Sequence, residues 1–343
     1  MNSKKIPIFF ATDDNYVPYL AVTIQSLLQN ASSGNKYCIY VLNEGLKKEN
    51  KKAIKCLETK NVHIKFKNIT RKIEKIRKKL ADQLRDYYSL SIYYRIFIAT
   101  MFPKLKKAIY LDCDIILLDD IANLYNKDLG NNLVGAIVDE VASSNPEFIS
   151  YVENAVGINH EKYFNSGVLL MNLEEMRNQE IEKKFAYYLN NYPFSSMCPD
   201  QDYLNFLCKG QVLFIEKGWD KMTVPDDSFN EKDLHLIHYN MFKKPWKYDD
   251  VMFQDYFWYY AKQTIYHDML LEMRNNYSNE SKQNDLVCAG NMITYAMSVV
   301  NDPNNFYNTI KKEEHERLLK KLESEKSDLE DIENLVTNVS SIN

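Results

Sequence analysis

Along its first two thirds the chain alternates short apolar runs with segments patterned as helices. Residues 6–11 are apolar, the polar turn Thr12-Asp13-Asp14-Asn15-Tyr16 follows, and Pro18 opens a helix. Proline suits that first turn, where its fixed φ is helical and its missing N–H has no partner to lose. Leu20, Ile24, Leu27 and Leu28 then share one helix face. Residues 37–42 read as a strand, and residues 46–57 as a helix with Leu46, Asn50, Ala53 and Leu57 at helical spacing. Residues 62–69 alternate with period two, and further strands read at 108–111, 133–138, 167–172, 211–216 and 234–239. Strands separated by helices predict an α/β fold with a mostly parallel central sheet. In such sheets ligands gather beyond the carboxyl ends of the strands. Three polar clusters fall there: Asp13-Asp14-Asn15, Asp112-Cys113-Asp114 and His238.

Charge and cysteine usage narrow the classes. Across 343 residues, 43 Lys and Arg stand against 47 Asp and Glu, a net charge of −4. That balance lacks the basic face of a nucleic-acid binder, so no nucleic-acid partner is expected. It leaves room for a phosphate-bearing small molecule whose charge a metal could offset. The six cysteines are scattered without a C-x-x-C pair, which reads as free thiols in a reducing compartment. Residues 6–11 are too short for a signal peptide, and no stretch approaches the ~20 apolar residues of a spanning helix. A cytoplasmic protein is expected, with the inner face of the membrane as a site of peripheral contact.

After residue 250 the pattern changes. Phe253, Tyr256, Phe257, Trp258, Tyr259 and Tyr260 crowd one run, which reads as core before membrane face. Helical segments and a charged tail follow, so the chain divides into 1–250 and a helical C-terminal extension, 251–343. In the tail Leu322, Leu329 and Val336 recur every seven residues, joined by Leu318 and Ile332. A dimerisation helix and an amphipathic helix packed on its own chain both fit that spacing.

The chemistry centres on Ile109-Tyr110-Leu111-Asp112-Cys113-Asp114-Ile115-Ile116. An apolar strand delivers two carboxylates at i and i+2, which in an extended chain point the same way and can face one cation. Adjacent carboxylates repel unless a cation or proton intervenes. With diphosphate oxygens and water completing the shell, they suit Mg²⁺ or Mn²⁺. A strand-end turn with two solvated acids fits the same motif. So does the aspartate-nucleophile phosphatase pattern, but there the pair follows the first strand, whereas here it comes beyond residue 110.

Taken in order, Phe9-Phe10-Ala11-Thr12-Asp13-Asp14-Asn15-Tyr16, Tyr94-Arg95, Tyr110-Leu111-Asp112-Cys113-Asp114, Asn165-Ser166-Gly167-Val168, Asp200-Gln201-Asp202 and His238-Tyr239 with Lys244-Pro245-Trp246 resemble glycosyltransferase family 8. These are the bacterial galactosyl- and glucosyltransferases related to glycogenin, and the resemblance spans roughly residues 6–250. It implies a GT-A nucleotide-diphospho-sugar transferase fold, a UDP-glucose or UDP-galactose donor, a glycan, lipid-linked or protein acceptor, and retention of anomeric configuration. It also implies a divalent metal, Mn²⁺ before Mg²⁺, on Asp112, Asp114 and His238. An imidazole ligand favours Mn²⁺.

The resemblance sets Ala11, Asp13, Asn15 and Tyr16 around the uridine, Cys113 against the donor, and Lys244 on the diphosphate. Arg95, Asn165 and Ser166 would hold the sugar, with Asp139, Asp200 and Gln201 as the catalytic candidates. Each position also has a plain structural reading. Asp13-Asp14-Asn15 could cap the next helix, Asn165-Ser166-Gly167 could be a turn, Asp200-Gln201-Asp202 a helix start after Pro199, and His238 a satisfied core side chain. Lys243 competes with Lys244. Relatives often carry Gly three residues after the histidine, where this chain has Met241. Two readings of other classes stay open: a non-catalytic UDP-sugar-binding module, and a scaffold or homo-oligomer acting through the C-terminal helices.

Overall fold

The computed structural model describes residues 5–74, 77, 90–192 and 194–340, with side chains as far as residue 324 in the final helix. Among them β1 (Lys5–Ala11), β2 (Lys36–Asn43), β3 (Val62–Asn68), β4 (Lys107–Leu111), β6 (Val134–Ala136), β7 (Val168–Asn172) and β8 (Val212–Phe214) form one sheet, in the order β3-β2-β1-β4-β7-β6-β8. The pairs β1–β2, β2–β3, β1–β4 and β6–β8 are parallel, while β4–β7 and β6–β7 are antiparallel. The sheet is therefore mixed and mostly parallel. Its central strands are apolar throughout because both faces are covered: β1 buries every residue after Lys5.

The helix α1 (Val17–Asn30) covers one face, and its Leu20, Ile24 and Leu27 join Ile8, Phe10, Ile39 and Ile109 in one core. The helix α2 (Lys48–Lys55) is shorter at both ends than its spacing predicts. Asn43 takes the backbone N–H of Leu46 at 3.3 Å, which holds that residue in the preceding turn.

The stretch 234–239, read from sequence as one more strand, joins a different sheet. There β10 (Leu236–His238) pairs antiparallel with β5 (Ile115–Leu117) and parallel with β9 (Lys221–Met222). The chain leaves the main sheet at Leu111, crosses Asp112–Asp114, and re-enters extended structure as β5 in this small sheet. The paired aspartates thus lie at the joint between two sheets, not along one strand.

Beyond residue 250 the aromatic run forms α5 (Gln254–Ala261), preceded along the chain by α3 (Pro146–Tyr151) and α4 (Pro199–Leu207). Phe257, Trp258 and Tyr260 of α5 pack with Tyr19, Val22 and Trp246 as core, while Tyr256 and Tyr259 of the same run are exposed. In α6 (Asn279–Val300), Met292, Ala296 and Val299 pack against Phe148, Tyr151 and Val152. In α7 (Phe306–Ser340), Phe306 stacks on Phe194 at 3.9 Å, whereas Leu318 and Leu322 are exposed. Leu329, Ile332 and Val336 lie outside the residues whose side chains are described. All six cysteines are free, and among the described residues no helix is long and apolar enough to cross a membrane.

Candidate active site

The joint after β4 is pinned from below by α1. The Thr23 hydroxyl lies 2.7 Å from both the Cys113 and Ile115 carbonyls, and Ser26 Oγ accepts the Leu117 N–H at 2.9 Å. Cys113, between the aspartates, turns its thiol inward to the Ala11 carbonyl at 3.2 Å. Asp112 and Asp114 point to the other side. Their carboxylates and the His238 imidazole, delivered by β10, each offer a ligand atom within 4.8 Å of the others. His238 Nε2 is 3.3 Å from Asp114 Oδ1 and 4.0 Å from Asp112 Oδ2.

Each member of this trio has a second partner that fixes its orientation. His238 Nδ1 meets Asp220 at 2.9 Å. Asp220 is fully buried, and its other oxygen, Oδ2, has no hydrogen-bond partner. Burial pushes the Asp220 carboxyl up to about 6 even beside His238. Burial alone would depress the imidazole, but the Asp220 charge and the Asp114 hydrogen bond drive it up to about 10. Asp114 is likewise penalised by burial, yet Lys244 and His238 hold it well below the ordinary carboxylate range. Two carboxylates and one imidazole bring their donor atoms to one point, with Lys244 paired to Asp114 and Arg95 to Asp112. Such a donor set is what a divalent-cation site requires, and a metal bound there would need the imidazole neutral. The residues present fit a divalent cation.

Gly167 makes the approach possible. A Cβ there would lie 2.4 Å from His238 Cε1 and 2.8 Å from Asp112 Oδ2, so any side chain would intrude on the trio.

Arg95 organises the neighbouring wall. It is buried, stacks over Tyr110 at 4.3 Å, and reaches Asp112 at 3.0 Å and Asp200 at 3.2 Å. It also donates to the backbone carbonyl and hydroxyl of Ser166. A buried arginine costs desolvation unless paired, and here two carboxylates repay it. From this hub the bonds continue: Ser166 Oγ to Asp200 at 3.1 Å, and the Ser166 N–H to Gln201 Oε1 at 2.9 Å. Gln201 Nε2 and Asn165 Nδ2 both donate to Asp139 Oδ2, at 3.0 and 2.9 Å. Burial lifts Asp200 to about 6 although Arg95 opposes it, and the Asp112 charge adds to the rise.

These groups face one cavity of about 700 Å³. Of the sequence-derived candidates, Ala11, Tyr16, Arg95, Asp112, Cys113, Asp114, Asp139, Asn165, Ser166, Asp200, Gln201, His238 and Lys244 line it. Asp13 and Asn15 do not. Asp13 Oδ1 is taken up by the turn into α1, accepting the N–H groups of Asn15 and Tyr16 at 2.9 and 3.1 Å. Of the two lysines, Lys244 is buried against Asp114 and the Tyr239 carbonyl, whereas Lys243 is exposed and pairs with Asp250. His235 is structural, stacked on Trp219 and 3.1 Å from Asp119. Met241 adopts φ +59°, a left-handed conformation that glycine takes without strain. Sequence reading missed Asp220, Tyr110 and the steric role of Gly167. Only Gly167 carried a local signal, as a glycine opening a strand inside a polar motif.

Comparison with known proteins follows the same residues. Residues 7–250 match the family model described as Glycosyl transferase family 8. A putative glycosyltransferase of Haemophilus influenzae is 30% identical over 244 residues, covering 68% of this chain and 69% of the relative. The lipopolysaccharide 1,2-glucosyltransferase of Escherichia coli K12 is 26% identical over 259 residues, covering 71% of this chain and 73% of its own length. Among solved structures, the bifunctional glycosyltransferase WbbM aligns with a TM-score of 0.68 at 23% identity, over 80% of this chain and 52% of WbbM. The galactosyltransferase LgtC, in complex with donor and acceptor sugar analogues, aligns with a TM-score of 0.60 at 24% identity, over 76% of this chain and 96% of LgtC. The architecture is the GT-A fold.

Proposed function

This chain belongs to glycosyltransferase family 8, and from that premise we propose that it transfers glucose or galactose from a UDP-sugar to a glycan or glycoconjugate acceptor, with retention of configuration. The observation that carries this reading is the convergence of Asp112, Asp114 and His238 from two sheets on one cavity. Asp112, Asp114 and His238 would hold Mn²⁺, which when bound supplies charge neutralisation for the departing diphosphate. Lys244 offers that diphosphate a point charge from the same wall. Tyr16, backed edge-on by Tyr19 in its stack with Trp246, presents a ring for the uracil base.

Arg95 fixes Asp200 relative to Asp112, so the residues for sugar and diphosphate share one rigid frame. Asp139, Asn165, Ser166, Asp200 and Gln201 would bind the hexose hydroxyls as the sugar, losing its bond to the diphosphate, takes on oxocarbenium character. Asp139 is engaged by Asn165, Gln201 and the Ala142 N–H, and Asp200 by Arg95 and Ser166. Neither is a free carboxylate nucleophile, which favours attack by the acceptor hydroxyl on the face that UDP leaves. Six free thiols support a cytoplasmic setting.

The test is UDP release, measured by mass spectrometry, from UDP-glucose and UDP-galactose. Protein stripped with EDTA should be inactive and Mn²⁺ should restore release from at least one donor. Asp112→Asn or Asp114→Asn should lower turnover by about two orders of magnitude with the circular dichroism spectrum unchanged. No release from either donor, or release indifferent to EDTA, would sink the reading.

A further inference from the structure

Besides the donor residues, the same cavity carries side chains of a different character. It is also lined by Phe148 of α3, Met197 before α4, Met241, Phe242, and Cys288 and Met292 of α6, which together make an apolar wall. The helix α6 lies outside residues 7–250, so Cys288 and Met292 come from a part of the chain that the family segment does not contain, while the other four side chains belong to that segment. Met292, Met197 and Phe148 are at most 8% exposed and belong to one packed apolar cluster, which makes the wall a fixed surface.

Its polar groups are few. Lys247 and Asp285 pair at 3.5 Å, and Asp285 is held further by Tyr248 and Tyr277 at 3.0 and 2.8 Å. Asn284 lines the cavity beside them. A sugar ring carries hydroxyls around its edge, and each one buried without a partner costs free energy. A purely sugar acceptor would find partners near the trio and at Lys247, Asn284 and Asp285, but none on the side chains of Phe148, Met197 and Met292. Methionine-rich surfaces instead accept flexible apolar groups of varied shape.

The geometry points to an acceptor that is amphiphilic: a sugar hydroxyl at the trio with an alkyl or aryl aglycone lying against Phe148, Met197, Cys288 and Met292. This inference rests on the transferase reading and names its acceptor class. The helix α6 is then a specificity element, and apolar contact on it separates such glycosides from free sugars.

Binding can test this apart from transfer. With Mn²⁺ and UDP present, calorimetry compares octyl β-glucoside, octyl β-galactoside and octyl β-lactoside with glucose, galactose and lactose, each octyl glycoside below its micelle threshold. At least one octyl glycoside should bind tenfold or more tightly than its parent sugar, a modest share of what burying an eight-carbon chain can give. Cys288→Trp, which fills the wall, and Met292→Gln, which makes it polar at similar length, should each erase most of that gain. UDP titration of the same proteins with Mn²⁺, starting free of UDP, reads the donor site separately, so a failure of the donor reading shows as absent UDP binding in the wild type. Equal affinity of octyl glycosides and parent sugars in the wild-type protein, absence of binding by both included, overturns the inference. An octyl advantage undiminished in the variants overturns it too, because the chain would then bind elsewhere.

Discussion

Gly167 and Asp200 show how single residues set the site's chemistry. At Gly167 the objection to a side chain is contact, since the space is already held by His238 and Asp112. Gly167→Ala should therefore push the trio apart, costing about 1–3 kcal/mol of stability as overpacking does. Mn²⁺-dependent UDP release should fall with it, and a variant that matches wild type in both urea denaturation and metal titration would refute the steric argument. At Asp200 the issue is a proton. Burial raises its folded pKa to about 6, above the value of 3.8 taken for the unfolded chain. The folded state therefore binds the proton more tightly. The stability this contributes is complete below 3.8 and is lost as pH rises through about 6. Asp200→Asn removes that dependence. Wild type should lose about 2–3 kcal/mol relative to the variant between about pH 4 and pH 7, from roughly two units at 1.36 kcal/mol each. Paired urea titrations across that range check it, and a difference that stays flat with pH would refute it.

At the scale of elements, the joint between β4 and β5 matters most, and α1 holds it. Thr23→Val keeps the shape but removes the hydroxyl that meets the Cys113 and Ile115 carbonyls. Unsatisfied buried carbonyls should cost about 1–3 kcal/mol. The Mn²⁺ concentration for half-maximal activity should also rise several-fold, because the two aspartates ride on that joint. An unchanged metal titration alongside reduced stability would confine Thr23 to a structural role. The sequence disclosed the elements that have length and period: the central strands, α1, and the apolar run ending in Asp112. It did not disclose β5 or β9, which are three and two residues long and have no readable alternation. For that reason the aspartates read as lying along one strand, while the structure puts them at the joint of two sheets. His238 was legible through its place in an ordered motif. Asp220 was not, because its pairing with His238 is made by β9 and β10 lying side by side, and nothing local in Trp219-Asp220 announces it. Asp13 carries both readings in sequence, and the structure shows the turn-closing one, its Oδ1 accepting the N–H groups of Asn15 and Tyr16.

Across the whole molecule, the family segment ends at residue 250 but the core does not. Phe257, Trp258, Met292, Val299 and Phe306 are all buried, and they fill clusters begun by residues before 250. Five such side chains at about 1.5–3 kcal/mol each contribute as much as the net stability of a typical domain, about 5–15 kcal/mol. A chain cut after residue 250 should therefore lack a cooperative melt, whatever its catalytic residues. Over residues 311–324 the balance reverses: Leu318, Leu319 and Leu322 are exposed, and removing these three uncovers little. A chain ending at residue 310 should melt cooperatively and release UDP at a rate within about twofold of the full protein, since surface changes usually shift stability by no more than about 0.5 kcal/mol. Sedimentation of the two lengths would show whether those exposed leucines join copies of the chain. If the 310-residue chain unfolds while remaining a monomer, α7 contributes to the core beyond Phe306. If the 250-residue chain folds and turns over donor, the helices after it are separable, and α6 could not be a fixed wall of the cavity.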